Sequence, residues 1–218
     1  MIKSALIAYL GFCLFQAGCV EGGVSGKRSQ SPSNTPAAVT QPNASPDGAR
    51  QDQLSGEDHW ARANGLARED PERALREYRS ALDKGYDTVE LRIELGGLLM
   101  NQLKRPAEAV EHLRVATGRD EKNWRAHWLL AAALLEAERF DEALSEFNIS
   151  KELDPSLDGY YGYFIGRSLE GMRRYEEALA NYQEFLAHEE SISPSGPQVR
   201  EVNERIETIR KKMAPARQ

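Results

Sequence analysis

Arg139-Phe140-Asp141-Glu142-Ala143-Leu144 and Arg174-Tyr175-Glu176-Glu177-Ala178-Leu179 carry the same order of residues, 35 positions apart: a cation, an aromatic, two acids, then Ala-Leu. Pro106-Ala107-Glu108-Ala109-Val110 and Pro71-Glu72-Arg73-Ala74-Leu75 occupy the same place in two earlier stretches. The apolar residues around these segments recur at helical spacing, and self-similarity at about 34 residues marks stacked helix-turn-helix units. Each unit buries its apolar face only against its neighbours, so the chain from about residue 55 onward reads as an all-α solenoid.

Further residues carry a resemblance to the tetratricopeptide (TPR) repeat family. A unit over 124–157 supplies Leu130, Ala131, Ala143, Phe147, Ser150 and Pro155 at that family's positions, and one over 159–192 supplies Ile165, Gly166, Tyr175, Ala178 and Tyr182. An earlier unit, 89–123, supplies Leu95, Gly96, Ala109, Leu113 and Ala116, with Glu121 where proline is common. The first, about 55–88, supplies Trp60, Ala74, Tyr78 and Ala81 but is short between its helices. The resemblance implies about four repeats over 56–192, in which Gly or Ala faces Ala where paired helices approach. After Pro194, Gly196 and Pro197, the residues Val199, Val202, Ile206, Ile209 and Met213 share one helical face, which predicts a capping helix over 197–214.

The amino-terminal quarter reads differently. Lys3, an apolar run from Ala5 to Phe15 and then Gln16-Ala17-Gly18-Cys19 form a secretory signal over 1–18, too short to cross a bilayer, which needs about 20 apolar residues. Small residues before a cysteine resemble the lipobox of bacterial lipoproteins, although Gln16 stands where Leu, Val or Ile is usual. That resemblance implies that Cys19 becomes the lipidated first residue, and Val20 after it favours the outer membrane, periplasmic face. A cleaved signal near Gly18, giving a periplasmic or secreted soluble protein, and a short uncleaved anchor are the alternatives; Phe12 disfavours Cys13 as the lipid site. Residues 19–55 form a linker rich in Gly, Ser, Pro, Asn, Gln and Thr, which cannot bury enough apolar surface to order itself. As a flexible tether it spans roughly 30–35 Å root-mean-square.

Composition narrows the function. The net charge of −6, from 28 basic and 34 acidic residues, offers no general attraction for nucleic acid. Two cysteines, both within the first twenty residues, cannot form a disulfide framework or a paired-cysteine zinc site. His59, His112, His127 and His188 lie in separate helical segments without metal-ligand spacing, so no metal or cofactor is expected. Gly159, Gly162 and Gly166 follow no strand and alternate with aromatics, which fits helix close-packing better than a phosphate loop. No nucleophile elbow or Walker-type loop is present, so the expectation is no enzyme and no small-molecule substrate.

The resemblance to TPR proteins implies a concave groove lined by the first helix of each unit. Counted in the family's register, it holds Ile93, Gly97, Met100 and Asn101; Arg125, Trp128, Ala132 and Leu135; and Tyr160, Tyr163, Arg167 and Glu170. Aromatics and arginine anchor protein interfaces, which singles out Arg125, Trp128, Tyr160, Tyr163 and Arg167 as the partner-binding candidates, with core packing as the competing role for Trp128 and Tyr160. The Lys and Asn that clamp a terminal carboxylate in chaperone-binding relatives are replaced by Ile93, Gly97, Trp128, Ala132, Tyr163 and Arg167. The expected partner is therefore a protein of the cell envelope offering apolar side chains, bound by a lipid-anchored, non-catalytic scaffold or assembly factor. A pilotin-like factor for type IV pilus or secretin assembly, and a soluble adaptor or accessory module of a cell-wall enzyme, are the alternatives.

Overall fold

The computed structural model describes residues 54–189 and 196–214, with the side chains of 157 and 158 outside that description. The signal, Cys19 and nearly all of the linker lie outside the described residues. Residues 55–218 form one compact unit.

Nine α-helices and one 3-10 turn, and no strand, occur among the described residues. The helices are α1 (Gly56–Leu66), α2 (Pro71–Asp83), α3 (Val89–Asn101), α4 (Pro106–Arg119), α5 (Trp124–Glu136), α6 (Phe140–Leu153), α7 (Asp158–Gly171), α8 (Tyr175–Glu189) and α9 (Pro197–Met213). They pair as α1–α2, α3–α4, α5–α6 and α7–α8, and each second helix also packs on the first helix of the next pair. Successive first helices touch as well, α3 with α5 and α5 with α7, so they line the tighter side of the stack.

Local chemistry starts and stops these helices. The side chains of Ser55, Asp70, Thr88 and Asn123 accept from the backbone N–H three residues on, at 3.0–3.2 Å, and Ser55 with Asp58 closes a capping box. The turn inside the second, third and fourth pairs is the same each time. Lys104, Glu138 and Arg173 take φ of 54°, 59° and 60°, and the following residue donates its N–H back to Leu99, Leu134 or Leu169 at 2.8–2.9 Å. The first pair turns through Ala67 to Asp70 without a positive φ. That turn is no shorter than the others, contrary to the sequence expectation; the short element of the first pair is α1 itself, with 11 residues against 13 or 14 in the later first helices.

The helix pairs close on small residues. Ala74, Ala109, Ala143 and Ala178 are fully buried. A Cβ on Gly96 would sit 2.5 Å from the Leu113 side chain, on Gly162 2.6 Å from the Asn181 carbonyl oxygen, and on Gly166 2.6 Å from the Tyr182 ring. Gly162 and Gly166 are therefore close-packing positions, as their spacing suggested. Arg105, Arg139 and Arg174 each pair with the glutamate three residues on, but these pairs are solvated and add little. The stack is held by apolar burial.

On α9, Val199, Val202, Ile206 and Ile209 are buried and the helix packs on α8, as a cap should. Met213 departs from the expectation: it is 39% exposed, because α9 has run past the end of the surface it covers.

Candidate partner-binding face

One link recurs between consecutive first helices. Trp60 of α1 donates Nε1–H to Glu94 of α3 at 2.9 Å. Leu129 of α5 packs on the cluster of Ile93, Ala116 and Ala126. The Trp128 ring of α5 meets Phe164 of α7 edge-on at 4.8 Å. Tyr163 of α7 donates its hydroxyl to Glu201 of α9 at 2.9 Å. Trp60, Ile93, Trp128 and Tyr163 thus do the same work in successive repeats, and α9 stands where the first helix of a fifth repeat would.

That geometry corrects part of the sequence expectation. Trp128 is 4% exposed and also packs edge-on against Phe147 and Tyr161, at 5.4 and 5.0 Å. Tyr163 is 6% exposed, and burial pushes its hydroxyl up to about 12, helped by Glu201 and opposed by Arg167. Both rings are committed to joining neighbouring repeats rather than facing a free groove. Ile93 and Leu135 are buried in the same way. Spacing alone assigns a residue to one side of its helix; it does not say how far the next helix rolls over it. The aromatics Tyr161 and Phe164, on the next first helix, were the signal that Trp128 had a partner inside the chain.

Three of the five candidates remain accessible on this side. Arg125 is exposed, and no ion pair or hydrogen bond engages its guanidinium among the described residues. Tyr160 is half-buried, with its ring 5.8 Å from the His188 ring, and burial, with Glu189 nearby, raises its hydroxyl above the ordinary tyrosine value. Arg167 donates to Glu136 of α5 at 3.2 Å, and its guanidinium lies 5.7 Å from the centre of the Tyr163 ring. At the far end Glu170 accepts from Tyr182 at 2.8 Å and from Arg205 of α9 at 3.0 Å. Gly97 opens the middle of the face: a Cβ there would meet nothing within 4 Å. Ala132 on the next first helix adds only a methyl.

No cluster of three or more His, Cys, Asp or Glu among the described residues could hold a metal ion. The histidines instead bridge paired helices. His59 Nδ1 lies 2.6 Å from Glu77, His112 Nδ1 2.7 Å from Arg92 and His127 Nδ1 2.6 Å from Glu146. Sequence spacing gave no hint of this shared role, because each partner lies 18 to 20 residues away on the opposite helix.

The tetratricopeptide-repeat family is matched over residues 66–123 and again over 101–161. Residues 66–161 are tetratricopeptide repeats. The two matches cover α2 to the start of α7, and the same helix geometry carries the TPR array on through α8.

Solved structures with the same arrangement include YrrB, described as a TPR protein with an unusual peptide-binding site. It is 23% identical, with a TM-score of 0.60 over 68% of this chain and 74% of that one. MamA AMB-1 is 25% identical, with a TM-score of 0.58 over 65% and 77%. MamA of Desulfovibrio magneticus RS-1 is 16% identical, with a TM-score of 0.56 over 73% and 97%. Comparison with curated proteins by sequence gave no match. The TPR fold suits a protein-interaction scaffold.

Proposed function

We propose that this protein is a non-catalytic scaffold or assembly factor that is anchored by a lipid on Cys19 to the periplasmic face of the outer membrane and recruits a protein component of an envelope machine. The observation that carries the recruiting role is the stretch of the inner face around Gly97, where a Cβ would meet nothing within 4 Å, together with the exposed Arg125, whose guanidinium has no ion pair or hydrogen bond among the described residues. The Gln16-Ala17-Gly18-Cys19 motif supports the anchor, and the composition of residues 19–55 supports a tether that gives reach without fixing orientation. Recognition draws on an arginine, a half-buried tyrosine and a small-residue floor, which together suit a peptide segment with an apolar side chain and an acidic neighbour.

The test is capture of partners from crosslinked native membranes, read by mass spectrometry, with three forms of the tagged full chain. The wild type is expected to recover one envelope component. Cys19→Ala is expected to lose the membrane fraction, and Gly97→Leu with Arg125→Glu to lose the partner by tenfold or more while keeping its melting temperature. Undiminished capture by the double variant would contradict the inner-face reading, and unchanged fractionation of Cys19→Ala would contradict the anchor.

A further inference from the structure

The junctions between repeats are not built alike. Between the third and fourth repeats the contacts are aromatic: Trp128, Phe147, Tyr161 and Phe164 interlock with centroids 4.8–5.5 Å apart. Between the first and second the Trp60 ring lies 5.6 Å from the ring of Tyr86 in the joining turn, and the remaining named ties are polar. Trp60 donates to Glu94 at 2.9 Å, Arg79 lies 3.4 Å from Glu108, and Asp87, in the turn that joins the repeats, acts as a hub.

The Asp87 carboxylate accepts from Arg92 Nε and Nη2 at 2.7 and 2.9 Å and from Arg119 Nη2 at 2.7 Å. Its backbone carbonyl accepts from Arg119 Nη1 at 2.7 Å. These hydrogen bonds hold the Asp87 carboxyl well below the usual carboxylate range, so it stays ionised in mild acid. The remaining nitrogen of Arg92, Nη1, lies 2.7 Å from Nδ1 of His112 on α4.

A guanidinium can only donate, so this contact requires Nδ1 of His112 to accept, and therefore to carry no proton. A proton there would set two N–H groups and two cations against each other. The charged groups acting on His112 come from several elements. Burial and then Arg92 of α3 oppose its protonation, as does Arg79 of α2, while Glu108 on its own helix and Asp87 in the turn favour it; the balance lies below the ordinary histidine value. His127 in the third repeat has the opposite geometry, since Nδ1 faces Glu146 at 2.6 Å and Nε2 faces the Glu121 carbonyl at 3.1 Å. His59 in the first repeat likewise faces a carboxylate, Glu77.

We propose that the junction between the first two repeats is a proton-sensitive hinge operated by His112, whose protonation displaces Arg92, loosens the clamp on Asp87 and lets the first repeat move against the rest. The sign follows from linkage. A base whose protonation is disfavoured in the closed form binds its proton more readily once the junction opens. The closed form thus holds its full advantage above the ordinary histidine value, near pH 6.5, and loses it as the pH falls from there toward the lower value of the closed state. At His59 and His127 Nδ1 faces a carboxylate, so a proton there opposes no donor, and His112 is the histidine of these three whose link is broken by protonation.

Hydrogen exchange of the full chain, followed by mass spectrometry at pH 7.5 and 5.5 and corrected for the intrinsic rate, reads the hinge directly. Peptides covering 84–92 and 112–119 are expected to lose protection several-fold at pH 5.5, while those of α7 and α8 do not change. His112→Gln keeps an acceptor for Arg92 and cannot titrate, so its exchange pattern is expected to be the same at both pH values. A second reading on the wild type is an NMR titration, in which the backbone amides of 84–88 should shift together with the His112 ring and not with His59 or His127. An equal loss in His112→Gln, a uniform loss along the array, no loss in the wild type, or linker shifts that follow another histidine would each overturn the proposal.

Discussion

Replacing Trp128 with alanine is expected to destabilise the array by about 3–5 kcal/mol, the range for removing a large buried aromatic. The ring is almost wholly enclosed and touches three other aromatics edge-on, so the loss combines transferred area, a cavity and three oriented ring contacts of about 0.5–1.5 kcal/mol each. The cavity opens between α5 and α7, at the seam between the third and fourth repeats, where few longer-range contacts compensate in a linear array. The melting transition should fall by on the order of 10 °C and broaden, because the last repeat and α9 uncouple from the rest. Circular dichroism and tryptophan fluorescence followed through the same melt check this. A change below about 1 kcal/mol would mean that Trp128 faces solvent after all.

Gly162→Ala is expected to be destabilising even though helix propensity points the other way. Alanine is better than glycine in a helix interior by about 1 kcal/mol. At Gly162, however, the added methyl would sit 2.6 Å from the Asn181 carbonyl oxygen and 3.0 Å from the Phe185 nitrogen, and these are backbone atoms of α8 that cannot rotate away. Separating α7 from α8 should outweigh the propensity gain and leave a net loss of about 2–3 kcal/mol, typical of overpacking. Gly97→Ala is the matched control. Its methyl meets open space, so the same substitution should stabilise by about 0.5–1 kcal/mol. Denaturant melts of the two variants should move in opposite directions; movement in the same direction would contradict the assignment of Gly162 as a packing position and Gly97 as an open one.

Much of the fold could be read from the chain. The Glu-Ala-Leu recurrence near residues 142 and 177 located the second helix of two pairs, and Pro71 and Pro106 stand at the first position of the other two, α2 and α4. Those signals are local, since a buried alanine, an aromatic four residues on and a helix start are fixed by spacing within one unit. The capping helix was equally legible because its apolar stripe has nowhere else to go. What spacing could not supply was the relation between units. Trp128 and Tyr163 sit on the side of their helices that a groove would need, yet the next first helix, or α9, closes over both. The hub at Asp87 joins Arg92 and Arg119, which lie 5 and 32 residues away. The histidine links depend on which atoms face one another across a helix pair. Among the candidate binding residues, the structure separates Trp128 and Tyr163, buried between repeats, from Arg125, Tyr160 and Arg167, which stay at least partly exposed, with Arg167 already bonded to Glu136.

The most direct measurement is site-specific photocrosslinking in intact cells, with the reactive side chain placed at Arg125 on the inner face and, in a second strain, at the exposed Glu111 on α4. A single envelope protein captured at 125 and absent at 111 is the result that a TPR scaffold working through its first helices predicts. Capture at 111 alone, or equally at both sites, would contradict it and move recognition to the outer helices.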